Sequence, residues 1–169
     1  FDFSNVKLAD YIPNDIPTFA YSGIVYKNIR DPSIFLEYLC SIDNEFKFIV
    51  YTKSTCFFDN YKSKLGEKID IRDYVPREKL LYELSKMDFL INFQNNSGVQ
   101  QPSKLIDYAL TGRPIINISN DFKERENFDL FMKGDYSNSY KINNLEDYNI
   151  KNVAQQFLKL YIEKINNSL

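Results

Sequence analysis

Short apolar runs alternate along this chain with segments of helical periodicity, at intervals of about 20–25 residues. No other feature limits the possible folds so strongly. Parallel strands cannot be joined by a tight turn and need a crossover, usually a helix, so the alternation predicts βαβ units and a parallel sheet. The strand-like runs are Thr18 to Tyr26, ending near Gly23, then Phe46 to Thr52, Lys68 to Val75, Asp88 to Phe93, and Pro114 to Ile118. Between them, Asp31 and Pro32 open a helix whose Ile34, Phe35, Tyr38, Leu39 and Ile42 have helical spacing. Ser54 or Thr55 begins a second helix that stops at Gly66, and a third runs from Pro76 through Leu80, Leu81, Leu84 and Met87. The expected class is α/β, a three-layer α/β/α domain with a parallel sheet of about five or six strands.

The flanks divide off from this unit. Residues 1–17 are polar and turn-rich, with Pro13 and Pro17, and read as a linker or inter-domain segment; 18–149 form the domain. Within it, 120–149 are charged and irregular, with a short helix expected from Asp121. Residues 150–169 carry an amphipathic helix, whose Val153, Phe157, Leu160, Tyr161 and Ile165 would face a core on this domain or return toward a missing N-terminal domain.

Composition removes several functions. The chain of 169 residues has no histidine, which excludes Ser–His and Cys–His nucleophile pairs and histidine general bases. With 21 basic and 23 acidic residues and no basic stripe, nucleic acid is not an expected partner. No apolar run approaches the roughly 20 residues of a membrane span. Cys40 and Cys56 read as small core residues. The chain begins at Phe1 and is expected to be a fragment.

One segment carries chemistry. Pro102 to Leu110 reads as a short helix, ended by Gly112 and Pro114. Leu105, Ile106, Ala109 and Leu110 share its apolar face; Lys104, Asp107, Tyr108 and Thr111 share the other, expected to be exposed. A lysine in a first helical turn attracts phosphate, and a carboxylate one turn on can accept hydrogen bonds from a ribose diol. That pairing suggests a nucleotide site. In parallel sheets ligands bind in loops at the carboxyl ends of strands. Gly23 to Arg30, Tyr74 to Pro76, Gln94 to Gln101, and Ser103-Lys104 all fall in such loops. Blander readings stay open: Lys104 and Asp107 as a solvated helical ion pair, Arg30 paired with Asp31 or Glu37, and Tyr74-Val75-Pro76 as strand-to-helix punctuation.

The order of these segments resembles a known family. A strand with Gly23 is followed by Arg30-Asp31-Pro32, then Asp73-Tyr74-Val75-Pro76-Arg77-Glu78-Lys79-Leu80, Leu84-Ser85-Lys86-Met87-Asp88-Phe89-Leu90-Ile91, Pro102-Ser103-Lys104-Leu105-Ile106-Asp107-Tyr108 and Gly112-Arg113-Pro114. Over roughly residues 18–119 and the final helix this resembles the C-terminal, donor-binding, Rossmann-like half of GT-B fold glycosyltransferases. The nearest type is bacterial enzymes of surface-polysaccharide synthesis, of the group 1 type with retaining relatives.

The resemblance implies a cytoplasmic domain, at the inner membrane face or free of it, that binds a nucleoside-diphosphate sugar without a required cofactor or metal. Ser103 and Lys104 would hold the diphosphate, and Asp107 the ribose. Tyr74 and Val75 would border the base. Arg30, with Lys27 as a substitute, would reach the diphosphate, and Arg30 and Lys104 would stabilise leaving-group charge. Gly23 would border the donor, and Asn95, Asn96, Ser97 and Gly98 would face its sugar. Many relatives carry two glutamates eight positions apart, where this chain has Val99 and Asp107. The missing N-terminal half would bring the glycan or lipid-linked acceptor and any membrane contact, so this fragment alone would bind donor without transferring sugar. Two alternatives stand beside this reading: a nucleotide-sugar epimerase-like domain, and a non-catalytic interaction domain that has lost the site.

Overall fold

The computed structural model describes residues 1–27, 29–95 and 103–166. Five strands form one wholly parallel sheet: β1 (Thr18–Ser22), β2 (Lys47–Tyr51), β3 (Ile69–Arg72), β4 (Phe89–Phe93) and β5 (Ile115–Ile118), in the spatial order β3-β2-β1-β4-β5. The helices are α1 (Ser33–Ser41), α2 (Thr55–Leu65), α3 (Arg77–Leu84), α4 (Lys104–Leu110), α5 (Arg125–Phe131) and α6 (Ile150–Asn166). This is the α/β three-layer, Rossmann-like architecture that the alternation predicts.

The pleat sorts the core into two halves, because successive side chains point to opposite faces. Phe19, Tyr21, Phe48, Val50, Phe89, Ile91 and Phe93 point to one side, where α1, α2 and α5 cover them with Phe35, Leu36, Phe58, Phe128 and Phe131. Phe19 lies at its centre, with ring centroids 5.1 Å from Phe48, 4.8 Å from Phe89 and 5.6 Å from Phe128. Such aromatic pairs add about 0.5–1.5 kcal/mol each beyond their burial. Ala20, Ile49, Tyr51, Leu90 and Ile115 point to the other side, under Leu84 of α3 and Leu105 and Tyr108 of α4.

β1 ends near Gly23 as expected, at Ser22, where Gly23 at φ 144° turns the chain while its N–H still bonds the Tyr51 carbonyl at 3.0 Å. Other sequence expectations need correction. β3 is an edge strand of four residues; its pairing ends where Arg72 meets Tyr51, the last residue of β2. The helix expected from Asp121 starts at Arg125. Before it, Phe122 adopts φ 47°, and Glu124 accepts hydrogen bonds from the Ser119 N–H and hydroxyl. Cys40 packs against the core, but Cys56 is exposed.

Tyr108 on α4 and Thr111 just past its end are buried rather than exposed, so the helix is enclosed over more of its circumference than its apolar stripe indicates. Gly112, at φ 69°, closes it as expected.

The two flanks exchange character. Residues 1–17 have no regular secondary structure, yet they are bound closely to the domain. Ala9 N–H donates to Ser85 Oγ at 2.9 Å, the Tyr11 hydroxyl donates to Asp88 at 2.7 Å, and the Arg113 guanidinium lies 3.6 Å over the Tyr11 ring. The described part of the apolar stripe of α6, by contrast, is mostly open to solvent: Val153 is half-buried, but Phe157, Leu160 and Tyr161 are 69%, 62% and 64% exposed. Among the described residues no helix is long and apolar enough to cross a membrane.

Candidate functional site

The chain leaves β1 for α1 on one face of the sheet and leaves β4 for α4 on the other. Because β1 and β4 are neighbours, their carboxyl ends open a crevice at the point where the strand order reverses. Gly23 lines it. A Cβ there would stand 2.9 Å from the Tyr21 hydroxyl and 3.3 Å from its ring carbon, under a backbone φ that L side chains rarely adopt.

Arg30 bridges the crevice. Its Nε and Nη2 donate to Asn95 Oδ1, beyond β4, at 3.1 and 2.7 Å, and Nη1 donates to the Ile24 carbonyl at 3.2 Å. The alternative pairing with Asp31 or Glu37 does not form. Asp31 instead accepts the Ser33 N–H and hydroxyl at the start of α1.

Lys104 reaches the same place from α4. Its side chain is partly exposed, but its ammonium nitrogen is buried and has no hydrogen-bond partner among the described residues. It lies 4.2 Å above the Tyr21 ring and 5.8 Å from that of Tyr108. Burial, with the Arg30 charge behind it, holds the Lys104 amine well below its ordinary pKa. A cation–π contact contributes about 0.5–2 kcal/mol, less than the several kcal/mol that burying an unpaired ion costs. Among the described residues the Lys104 amine has no anionic partner.

Tyr108 closes the floor. Its hydroxyl accepts the Ser22 N–H at 2.7 Å, and burial raises its pKa far above the usual phenol range.

Asp107 does not pair with Lys104, so the helical ion-pair reading is wrong. Its partner is Arg77, the first residue of α3. Arg77 Nε donates to Oδ1 at 2.8 Å, and Nη2 approaches the same oxygen at 2.7 Å as an ion-pair contact outside hydrogen-bonding geometry. The remaining nitrogen, Nη1, donates to the Asp2 carbonyl at 3.0 Å.

The other expected residues are more loosely placed. Lys27 is exposed in the loop that carries Arg30. Tyr74 is 65% exposed with the Lys53 ammonium 5.4 Å from its ring centroid, and Val75 packs against the α3–α4 side of the core. Ser103 is exposed and makes no side-chain cap. Asn96, Ser97, Gly98 and Val99 lie outside the described residues. Sequence reasoning assigned no role to Tyr21, Tyr108 or Arg77. For Tyr108 a signal existed: it stands four residues after Lys104, so the two share a helix side.

No family model and no curated protein matches this sequence. Solved structures do. The chain superposes on TarM with a TM-score of 0.55 at 13% identity, over 94% of this chain and 38% of that one. It superposes on the lipopolysaccharide outer core galactosyltransferase WaaB, in its apo form, with a TM-score of 0.54 at 11% identity, over 88% of this chain and 52% of that one. The fold is GT-B-like, a Rossmann-like α/β domain. This GT-B-like domain spans about two fifths and one half of the lengths of those two proteins.

Proposed function

We propose that this GT-B-like domain binds the donor of a glycosyltransferase, a nucleoside-diphosphate sugar, in the crevice between β1 and β4. The observation that carries the reading is the buried Lys104 ammonium, unpartnered among the described residues and close enough to Arg30 to feel its charge. A diphosphate supplies the negative charge that this pair lacks. As the glycosidic bond breaks, charge develops on the departing diphosphate, and fixed cations lower the cost of that charge in an oxocarbenium-like transition state. Two side-chain cations serve here, so the proposal assigns no metal or cofactor. In the whole protein the acceptor would be a glycan or a lipid-linked glycan, as in surface-polysaccharide synthesis, met on a second domain in the cytoplasm.

Calorimetric titration with UDP, GDP, ADP, CDP and dTDP, and with inorganic pyrophosphate, tests this. Saturable binding of at least one nucleoside diphosphate is expected. Lys104→Ala should weaken diphosphate binding far more than nucleoside binding. No saturable binding of any of these at millimolar ligand, with the fold intact, overturns the proposal.

A further inference from the structure

We infer that Arg77 is a positioning residue for the Asp107 carboxylate: it engages one carboxylate oxygen and leaves the other to accept a hydrogen bond from a ribose hydroxyl. This rests on the nucleotide-binding reading above and adds a residue to which that reading gave no role.

The geometry is asymmetric. An arginine facing a carboxylate commonly forms a two-pronged pair that occupies both oxygens. Here both guanidinium contacts fall on Oδ1, at 2.8 and 2.7 Å, and Oδ2 has no partner among the described residues. The Asp107 side chain retains 19% of its surface in solvent, so a ligand can reach it. A carboxylate only accepts hydrogen bonds and a ribose diol can donate two, so a free Oδ2 has the chemistry of a diol reader.

Arg77 is itself held. Its third nitrogen, Nη1, donates to the Asp2 carbonyl, and the Phe1 ring stands 6.0 Å from its guanidinium carbon. The Phe1 carbonyl in turn accepts the Ile150 N–H at 2.7 Å, at the start of α6. A guanidinium fixed on two sides cannot follow the carboxylate as it turns, so it fixes the carboxylate's orientation. Aspartate is one methylene shorter than glutamate and reaches less far from α4. An external hold on its rotamer therefore matters more for it.

Placement agrees. Asp107 stands one turn beyond Lys104, and Arg77 three residues beyond Tyr74. A ligand with its diphosphate on Lys104 and its base toward Tyr74 would lay its sugar across the Arg77–Asp107 pair. The rival is a purely structural ion pair joining α3 to α4.

The test compares the tightest-binding ribonucleoside diphosphate with its 2′,3′-dideoxy analogue and with inorganic pyrophosphate, on wild type, Arg77→Gln, Arg77→Lys and Asp107→Asn. Wild type should prefer the ribonucleotide about tenfold or more. Arg77→Gln and Asp107→Asn should bring that ratio close to one, with a smaller loss for pyrophosphate, and Arg77→Lys should restore part of it. An unchanged ratio in the variants, whatever their thermal stability, overturns the inference and leaves the ion pair structural. So does a wild type that binds both analogues equally, although donor binding then still stands. A wild type that binds neither pyrophosphate nor any nucleotide removes both readings. If Arg77→Gln does not fold, the comparison of wild type with Arg77→Lys and Asp107→Asn decides.

Discussion

The Lys104 ammonium rests 4.2 Å above the Tyr21 ring, out of solvent and without a hydrogen-bond acceptor among the described residues. Tyr21 is the fourth residue of β1, and Lys104 opens α4 on the far side of the switch point. The contact therefore spans the crevice where the sheet reverses its order, and it holds there a basic amine that no anion among the described residues pairs with.

Replacing that lysine should separate stability from binding. Lys104→Met retains the length and packing of the stem but removes the charge. Removing a buried charge in favour of an apolar group is often neutral or stabilising, by about 1–4 kcal/mol. We expect a denaturant midpoint equal to or higher than wild type, together with loss of pyrophosphate binding. A strongly destabilised Lys104→Met would mean that the lysine serves the fold.

Binding should also depend on pH with a definite sign. The Lys104 amine is held below its ordinary pKa by burial and by Arg30, and the other groups facing it are the Tyr21 and Tyr108 rings. A bound diphosphate stabilises its charged form, so the pKa is higher in the complex than in the free protein. Below the free-protein value the lysine is charged in both states and affinity is flat. Between the two values binding takes up a proton, and affinity falls as pH rises. Calorimetry with a nucleoside diphosphate in buffers of different ionisation enthalpy, at about pH 8 and above where its terminal phosphate is fully ionised, should show this uptake. Lys104→Met should abolish it.

Linkage adds a matching effect on the unliganded fold. The unfolded chain holds the Lys104 proton to higher pH than the folded chain does. Stability should therefore rise with pH above the folded-state value and level off near the ordinary lysine pKa. Chemical denaturation across this range should show a flatter profile for Lys104→Met.

Gly23→Ala should damage both fold and site. The new methyl would stand 2.9 Å from the Tyr21 hydroxyl at a φ of 144°, and Arg30 Nη1 is only 3.8 Å away. Strained backbone of this kind costs about 1–3 kcal/mol. Because Tyr21 and Arg30 both border Lys104, diphosphate affinity should fall with stability. Chemical denaturation and pyrophosphate titration on the same variant check both.

Asp88 should matter to the leading segment more than to the crevice. Its carboxylate accepts the Thr18 N–H at 2.7 Å, the Asn14 N–H at 3.3 Å and the Tyr11 hydroxyl at 2.7 Å. Asp88→Ala leaves the buried Thr18 N–H without its partner, an effect of about 1–3 kcal/mol. Residues 1–17 should become more sensitive to protease, with pyrophosphate affinity changing less than stability.

The sequence by itself determined the layers of this protein. Alternating apolar runs require parallel strands with crossovers, and local stops such as Gly66 and Gly112 act through their own backbone, so they can be read without a fold. It also placed Arg30 in the loop before α1 and Lys104 at the start of α4, because those places follow from strand ends and helix starts. Tertiary structure decided whatever depends on which surfaces meet. Periodicity marks the apolar stripe of α6 but not its partner, and Phe157, Leu160 and Tyr161 of that stripe stay exposed. Polarity put Tyr108 on an open face, yet packing against the sheet buries it on the Ser22 N–H. Asp107 paired not with the lysine three residues before it but with Arg77, thirty positions away on another helix. Charge pairing depends on distance in space, and only the folded chain sets that distance.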